Sequence, residues 1–308
     1  MEKVVISGGS GMVGSKLTAL LLEKGYEVIV LSRNPKPATH SNMRFEKWNP
    51  AKNEIKEETL ASADHVVNLA GANVAGQRWN DSYKNQILKS RIQATTCLTE
   101  SFQKVENHQI KSFISASAVG IYGSKNGSEL LEEDSKIGDD FLAKVCKEWE
   151  EAAVKAQEVS KIRTSILRIG IVLHPKDGAM EQMIRPIKFG VGAPLGNGKQ
   201  IVPWIHIEDL ARLFVAAIEK ESMQGVYNAV APMPVSNQTL TQIMAKKLKK
   251  PLLLPNVPGF ALQMLLGEFA QSVLANLPVS ARKVEQSGFE FNYPDAESAV
   301  AHLLETYD

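Results

Sequence analysis

Three glycines near the amino terminus carry the clearest chemical signal in the sequence. Gly8, Gly11 and Gly14 stand in the run Val4-Val5-Ile6-Ser7-Gly8-Gly9-Ser10-Gly11-Met12-Val13-Gly14. That spacing lets a backbone turn tightly after a strand, approach a pyrophosphate closely and pack the next helix against a sheet. The helix start then directs free N–H groups and a positive dipole end at the phosphates. A second signal follows at Ser32-Arg33, just past the apolar stretch Glu27-Val28-Ile29-Val30-Leu31. An acidic residue there would bind the free 2′-hydroxyl of NAD, whereas a hydroxyl and a guanidinium suit the 2′-phosphate of NADP. The sequence therefore favours NADP over NAD. Arg78 is the one cation in a loop expected over 71–79, either as a phosphate ligand or as a solvated charge. Further along, Ser112-Phe113-Ile114-Ser115-Ala116-Ser117 gathers hydroxyls at a strand end, where they are candidates for polarising a carbonyl or an alcohol.

These residues need a scaffold, and the hydrophobic pattern supplies one. Short apolar runs at 4–7, 27–31, 64–71, 112–117, 165–173, 201–207 and 226–230 read as strands, with a weaker one at 43–48. Helical patterns lie between them at 15–24, 81–104, 141–159, 179–189 and 210–220. Strands alternating with helices predict βαβ units and a parallel sheet, with right-handed crossovers covering both faces. The strand over 64–71 ends in the small residues Ala70 and Gly71, which leaves room for a cofactor across the carboxyl edge of the sheet. The segment 174–200 is rich in Gly, Pro and Met and ends in a glycine loop over 190–198. Two or three helices are expected in the tail, 239–249 being the clearest.

Composition narrows the function classes. Lys plus Arg total 35 and Asp plus Glu 34 in 308 residues, so no broad basic surface points to nucleic acid or a membrane. Two cysteines, Cys97 and Cys146, are too few for a disulfide framework and suit a reducing cytoplasm. Cys146 falls among apolar helix positions and reads as a buried structural thiol. Neither Cys nor His shows metal-ligand spacing, no signal peptide is expected, and no apolar run approaches the roughly 20 residues of a membrane span.

Taken with Leu31-Ser32-Arg33, Val67-Asn68-Leu69-Ala70-Gly71-Ala72-Asn73, Ser115-Ala116-Ser117-Ala118-Val119-Gly120-Ile121-Tyr122-Gly123, Leu167-Arg168-Ile169-Gly170-Ile171-Val172-Leu173, Gly196-Asn197-Gly198-Lys199-Gln200 and Pro203-Trp204-Ile205-His206-Ile207-Glu208-Asp209-Leu210, the glycine run resembles the extended short-chain dehydrogenase/reductase superfamily. More narrowly, it resembles the atypical "epimerase family protein" branch. The resemblance covers nearly the full length and implies an α/β fold, a Rossmann-like doubly wound parallel sheet with a small, mostly helical C-terminal lobe. It implies an NAD(P)-binding domain over 1–230, with 174–200 contributing to the substrate lobe, and a small C-terminal domain over 231–308. It also implies NADP(H) held by Gly8, Gly11, Met12, Val13, Ser32, Arg33, Leu69, Ala70, Gly71, Arg78, Ser115 and Lys144, and a possible homodimer through the helices at 81–104 and 141–159.

Active members of the wider superfamily carry a Tyr and a Lys four residues later on one helix face, where the ammonium lowers the phenol pKa for acid/base work. Here Val30, Ile87, Asn126, Ala231 and Glu297 stand four residues beyond Tyr26, Tyr83, Tyr122, Tyr227 and Tyr293, and Tyr307 has no such neighbour. Phe141 or Leu142 takes the acid/base position. The catalytic candidates that remain are Ser117, whose spacing to Tyr122 is one residue longer than usual so that Ala118 competes for its place, and the Tyr122 phenol. His206 reads as a hydrogen-bonded structural histidine. Two functions are expected to compete: an oxidoreductase or epimerase-like enzyme on an unidentified small polar molecule, and a non-catalytic NADPH-binding regulatory or redox-sensing protein.

Overall fold

The computed structural model describes residues 1–105, 108–124 and 127–306; Tyr307 and Asn126 lie outside the described residues. The first half runs β1 (Lys3–Ser7), α1 (Met12–Glu23), β2 (Glu27–Ser32), β3 (Met43–Lys47), α2 (Glu57–Ala61), β4 (His65–Asn68), α3 (Asp81–Lys104) and β5 (Ser112–Ala118). It continues through α4 (Phe141–Ser160), β6 (Arg163–Ile169), β7 (Ile171–Leu173), α5 (Gly178–Lys188), β8 (Ile201–Val202), β9 (Trp204–His206), α6 (Ile207–Glu219) and β10 (Gly225–Ala229). The tail holds β11 (Val235–Ser236), α7 (Asn237–Lys247), α8 (Gly259–Leu266), α9 (Phe269–Leu274), α10 (Arg282–Gln286) and α11 (Ala296–Thr306).

Seven strands form one sheet in the order β10-β6-β5-β4-β1-β2-β3, and every neighbouring pair is parallel. Val4, Val5 and Ile6 of β1 and Val28, Ile29 and Val30 of β2 are all fully buried, as continuous apolar strands covered on both faces must be. Leu17 and Leu21 of α1 and Leu210 and Phe214 of α6 pack on one face with Val4, Ile6, Val28 and Val30. Ala94 and Leu98 of α3 and Ala153 and Ala156 of α4 cover the other with Val5, Ile29 and Val66. Strand order reverses at β1, whose neighbours are β2 and β4, and the carboxyl edge beside that switch point is where such sheets bind ligands.

The structure departs from the sequence reading at specific residues. The expected strand over 165–173 breaks at Gly170, whose N–H donates to Ala229 O while the N–H of Ile171 turns to Pro203 O at 2.7 Å. A Cβ on Gly170 would stand 2.5 Å from Pro203 O, so only glycine permits this crossing. β7 then leaves the main sheet to pair with β9. The run 201–207 is likewise split at Pro203, which has no N–H to give a ladder. α6 begins at Ile207 instead of 210 because the His206 side chain caps it. The tail has five helices among the described residues, not two or three. The loop at 190–198 is tied to the C-terminal lobe: Gly196 N donates to Val257 O at 2.8 Å, and Leu195 N to Asn237 Oδ1 at 2.7 Å. Among the described residues no helix is long and apolar enough to cross a membrane.

α1 starts at Met12, three residues before the helix read from the sequence, with Gly11 as its N-cap. Its docking on β1 depends on Gly14, where a Cβ would stand 2.2 Å from Gly8 O and 2.6 Å from Gly9 Cα. Backbone atoms cannot yield as a side chain can. Gly14→Ala is expected to destabilise the protein by ~1–3 kcal/mol through overpacking, read as a lower urea midpoint by far-UV circular dichroism. An unchanged midpoint would refute this docking.

Candidate cofactor and substrate cleft

The glycine turn is built by close approach on three sides. Gly8 has φ +72°, and a Cβ there would stand 2.8 Å from the carbonyl of Leu69. Gly9, which the sequence reading left without a role, lies on Val30, with a Cβ only 2.9 Å from Cγ1. The Gly11 N–H donates to Gly8 O at 3.1 Å, and no side chain caps the first turn of α1. The N–H groups at the start of Met12 and Val13 therefore open on a cradle that a side chain would fill and an anion would suit. The Met12 thioether reaches across to Gly178 at the start of α5. Ser32 ends β2 and Arg33 follows it, exposed, beside the turn. These residues fit a phosphorylated dinucleotide.

Buried hydrogen bonds hold the strand ends in register. Ser7 Oγ donates to Asn68 Oδ1 at 2.6 Å, Asn68 Nδ2 to Thr95 Oγ1 at 2.8 Å, and Thr95 Oγ1 to the Arg91 carbonyl at 2.9 Å. This chain ties β1 to β4 and β4 to α3. Beyond it Leu69, Ala70 and Gly71 run along the carboxyl edge, with Gly71 exposed.

At the end of β5 the helix α4 presents Leu142 and Cys146, four residues apart. A Cβ on Gly120 would meet Leu142 Cβ at 3.3 Å and Cys146 Sγ at 3.8 Å. Leu142 rather than Phe141 therefore faces the strand end. Phe141 packs instead with Tyr83, Val145, Val74 and Trp79. Burial pushes the Cys146 thiol up to about 12, as expected of a structural cysteine. Lys144 lies a half-turn away with its side chain 69 % exposed, 4.0 Å from Glu148, so it points to solvent and not into the cleft.

Ser117 and Tyr122 do not line the cleft either. Ser117 is 2 % exposed, and its hydroxyl donates to Glu150 Oε1 at 2.6 Å. Arg168 grips both oxygens of that carboxylate at 2.9 Å and donates to Tyr122 Oη at 3.1 Å. The Tyr122 hydroxyl in turn donates to Asn228 Oδ1 at 2.6 Å. Burial raises the Tyr122 pKa above its ordinary value, though Arg168 opposes this. Burial disfavours the Arg168 charge, but the Glu150 hydrogen bonds and field outweigh it and hold the guanidinium protonated. The physical reason is strand alternation: Ser117 faces α4, while Ala118 ends β5. Ser115 is fully buried and donates to Ala116 O.

Over the edge, Trp79 is pinned by its Nε1 donating to Val74 O at 2.8 Å. Its ring lies 5.1 Å from Phe141 and 5.3 Å from Phe269 of α9. Lys84 meets Glu268 at 2.6 Å, and Arg78 lies against Gly267, where a Cβ would be 3.2 Å from its Nε. The cleft loop thus rests on the C-terminal lobe. Another concavity, about 570 Å³, lies at the opposite edge among Glu2, Tyr26, His65 and Lys111. Its charges compensate one another through Lys111–Glu2 and Lys111–Asp64 pairs.

Residues 4–229 match the model of the NAD dependent epimerase/dehydratase family. The chain belongs to that family. Residues 257–303 also match a domain of unknown function, DUF1731. The epimerase family protein YfhF of Bacillus subtilis is 35% identical over 301 residues, covering 98% of this chain and 97% of that protein. The crystal structure of human epimerase family protein SDR39U1 (isoform 2) with NADPH superposes with a TM-score of 0.85 at 30% identity, covering 98% of this chain and 99% of that one. A nucleoside-diphosphate sugar epimerase from Corynebacterium glutamicum gives 0.79 at 35% identity, covering 98% of this chain and 58% of that one.

Two features of this family member can be tested without ligand. The Arg168–Glu150 side chains are only 6% and 11% exposed, so Glu150→Gln strands a buried cation. The expected loss is ~3–5 kcal/mol of unfolding free energy; a loss below ~1 kcal/mol in urea would refute that reading. The second feature is His206, which is fully buried, accepts the Glu208 N–H on Nδ1 and shares Nε2 with His302 Nδ1. Burial pulls its pKa from 6.5 to about 3, with Glu208 opposing and His302, Lys16 and His174 assisting. Between those values the unfolded chain binds the extra proton, so this contribution is complete above pH 6.5 and is lost as pH falls toward 3. His206→Asn keeps a capping side chain and is expected to flatten the fall of urea midpoint with acid over that window. Parallel midpoint profiles for the two proteins would contradict it.

Proposed function

We propose that this chain binds NADP(H) along the carboxyl edge of its sheet and acts as an oxidoreductase or epimerase-like enzyme on a small polar molecule held between that edge and the C-terminal lobe. One observation carries the reading: the turn Gly8, Gly11 and Gly14 opens on an uncapped helix start, with Ser32 and Arg33 at the end of the adjoining strand. The NADPH in the human relative's structure is consistent with it. When bound, the cofactor supplies hydride transfer.

The chain's own residues bind, orient and exclude water. Gly8, Gly11, Met12 and Val13 receive the phosphates at the helix start, and Ser32 and Arg33 receive the 2′-phosphate. Leu69, Ala70 and Gly71 offer backbone to the rest of the cofactor. Trp79, Phe141 and Phe269 form an aromatic wall that keeps water from the loop side. Leu142 cannot move a proton, and a thiol held near 12 does not ionise at neutral pH, so proton exchange with a substrate does not run through this face of α4. Residues 1–230 would carry the cofactor, while 174–200 and 231–308 would shape the substrate side.

Arg33→Ala is expected to lower the NADPH-to-NADH affinity ratio at least tenfold, the loss of a charged hydrogen bond worth ~1.5–3 kcal/mol. Isothermal titration with both cofactors reads it, and an unchanged ratio would remove the 2′-phosphate assignment. Tight NADPH binding with no loss of its absorbance against any member of a carbonyl panel would overturn the enzymatic half of the proposal.

A further inference from the structure

One cation at the carboxyl edge has no carboxylate partner among the described residues. Arg91 lies on α3, where Nη1 donates to Ala72 O at 3.1 Å and Ile87 O at 3.0 Å. These bonds fix the guanidinium beneath Gly71, where a Cβ would stand 3.0 Å from Cζ and 3.3 Å from Nε. Its Cζ also lies 5.1 Å over the Trp149 ring. Nε and Nη2 make no hydrogen bond among the described residues, and the residue keeps partial exposure. No carboxylate pairs with it among the described residues, and burial lowers its pKa, with Cys146 and Tyr83 opposing.

Comparable arginines in this chain are compensated. Arg168 has Glu150, Arg212 has Asp209, and Arg163 caps the Ala217, Ile218 and Met223 carbonyls with Glu221 in its field. A partly buried cation without a counter-ion is poorly compensated, and a ligand anion offsets that cost. We propose that the Nε–Nη2 edge of Arg91 anchors a carboxylate of the substrate, so that the molecule acted on is a small organic acid bearing a carbonyl or alcohol group.

This rests on the cofactor reading above. Arg91 sits on the β4 and β5 side of the switch point, in the field of Cys146 on α4. The phosphate cradle belongs to β1 and β2 on the other side. With Nη1 occupied, the remaining planar edge presents two parallel N–H groups, the geometry that grips a carboxylate in bidentate fashion. Gly71 gives the edge its room, since any side chain there would press on the guanidinium.

The test uses the intact protein with and without saturating NADPH, and four probes: acetate, oxalate, tartronate and malate, with glycerol as the uncharged control. Binding is followed by tryptophan fluorescence and thermal shift, and NADPH affinity by titration calorimetry. At least one acid is expected to bind the NADPH complex while glycerol does not. Arg91→Lys, which keeps the charge and loses the fork, is expected to weaken that acid at least tenfold with NADPH affinity within twofold. Gly71→Ala, which displaces the guanidinium without removing it, is expected to weaken the acid in the same direction. The proposal is overturned if no acid binds wild-type protein, if Arg91→Lys leaves acid affinity unchanged, or if Arg91→Lys weakens NADPH as much as the acid, which would assign Arg91 to the cofactor. Failure of wild-type protein to bind NADPH would sink the cofactor reading alone, because acid binding to the free protein that Arg91→Lys removes would still support the anchor.

Discussion

The whole arrangement depends on how closely α1 approaches the end of β1. Gly14 lies against the backbone of Gly8 and Gly9, and Gly8 in turn lies against Leu69 beyond β4. Two strands and a helix thereby converge within van der Waals contact at one point. That contact brings the helix N-terminus to the carboxyl edge and leaves a cradle with no side chain in it. A residue larger than glycine at either position would separate the elements that form this cradle.

Polar chemistry in this protein is divided between two tasks. Around Arg168, Glu150, Ser117, Tyr122 and Asn228, every strong donor finds an acceptor, and the group joins β5, β6, α4 and β10 into one rigid unit. Such closed networks position a fold and have nothing left to offer a ligand. The carboxyl edge is different: an uncapped helix start, an exposed Arg33 and a half-satisfied Arg91 all retain unused donors. Unused donors around an edge that is otherwise well packed distinguish a binding surface from a structural core.

Much of the architecture was legible because it rests on local pattern. The apolar runs of β1, β2 and β5 are written in consecutive residues, and α3 spans Asp81–Lys104 as read. The break at Gly170 was not legible, because its cause is Pro203, thirty-three residues away in sequence. The short tail helices were undercounted since α8 leaves Phe260, Met264 and Leu265 exposed and shows no clean amphipathic stripe. The direction of Ser117 turned on a single step of strand alternation, which spacing to Tyr122 could not resolve. Arg91 did leave a trace: it falls on the same helical stripe as Ile87, Thr95 and Leu98, all buried. A cation on an apolar stripe is the signal that the reading passed over.

The contact between the loop at 71–79 and α9 makes the two parts of the chain thermodynamically reciprocal. Trp79 touches both Phe141 of α4 and Phe269 of the tail, and Lys84 reaches Glu268 across the same seam. Any molecule whose binding shifts that loop alters the free energy with which the tail docks, and by linkage the tail's docking alters that molecule's affinity by an equal amount. The C-terminal segment is therefore an energetic participant in what the edge binds, even though it supplies none of the glycines that define it.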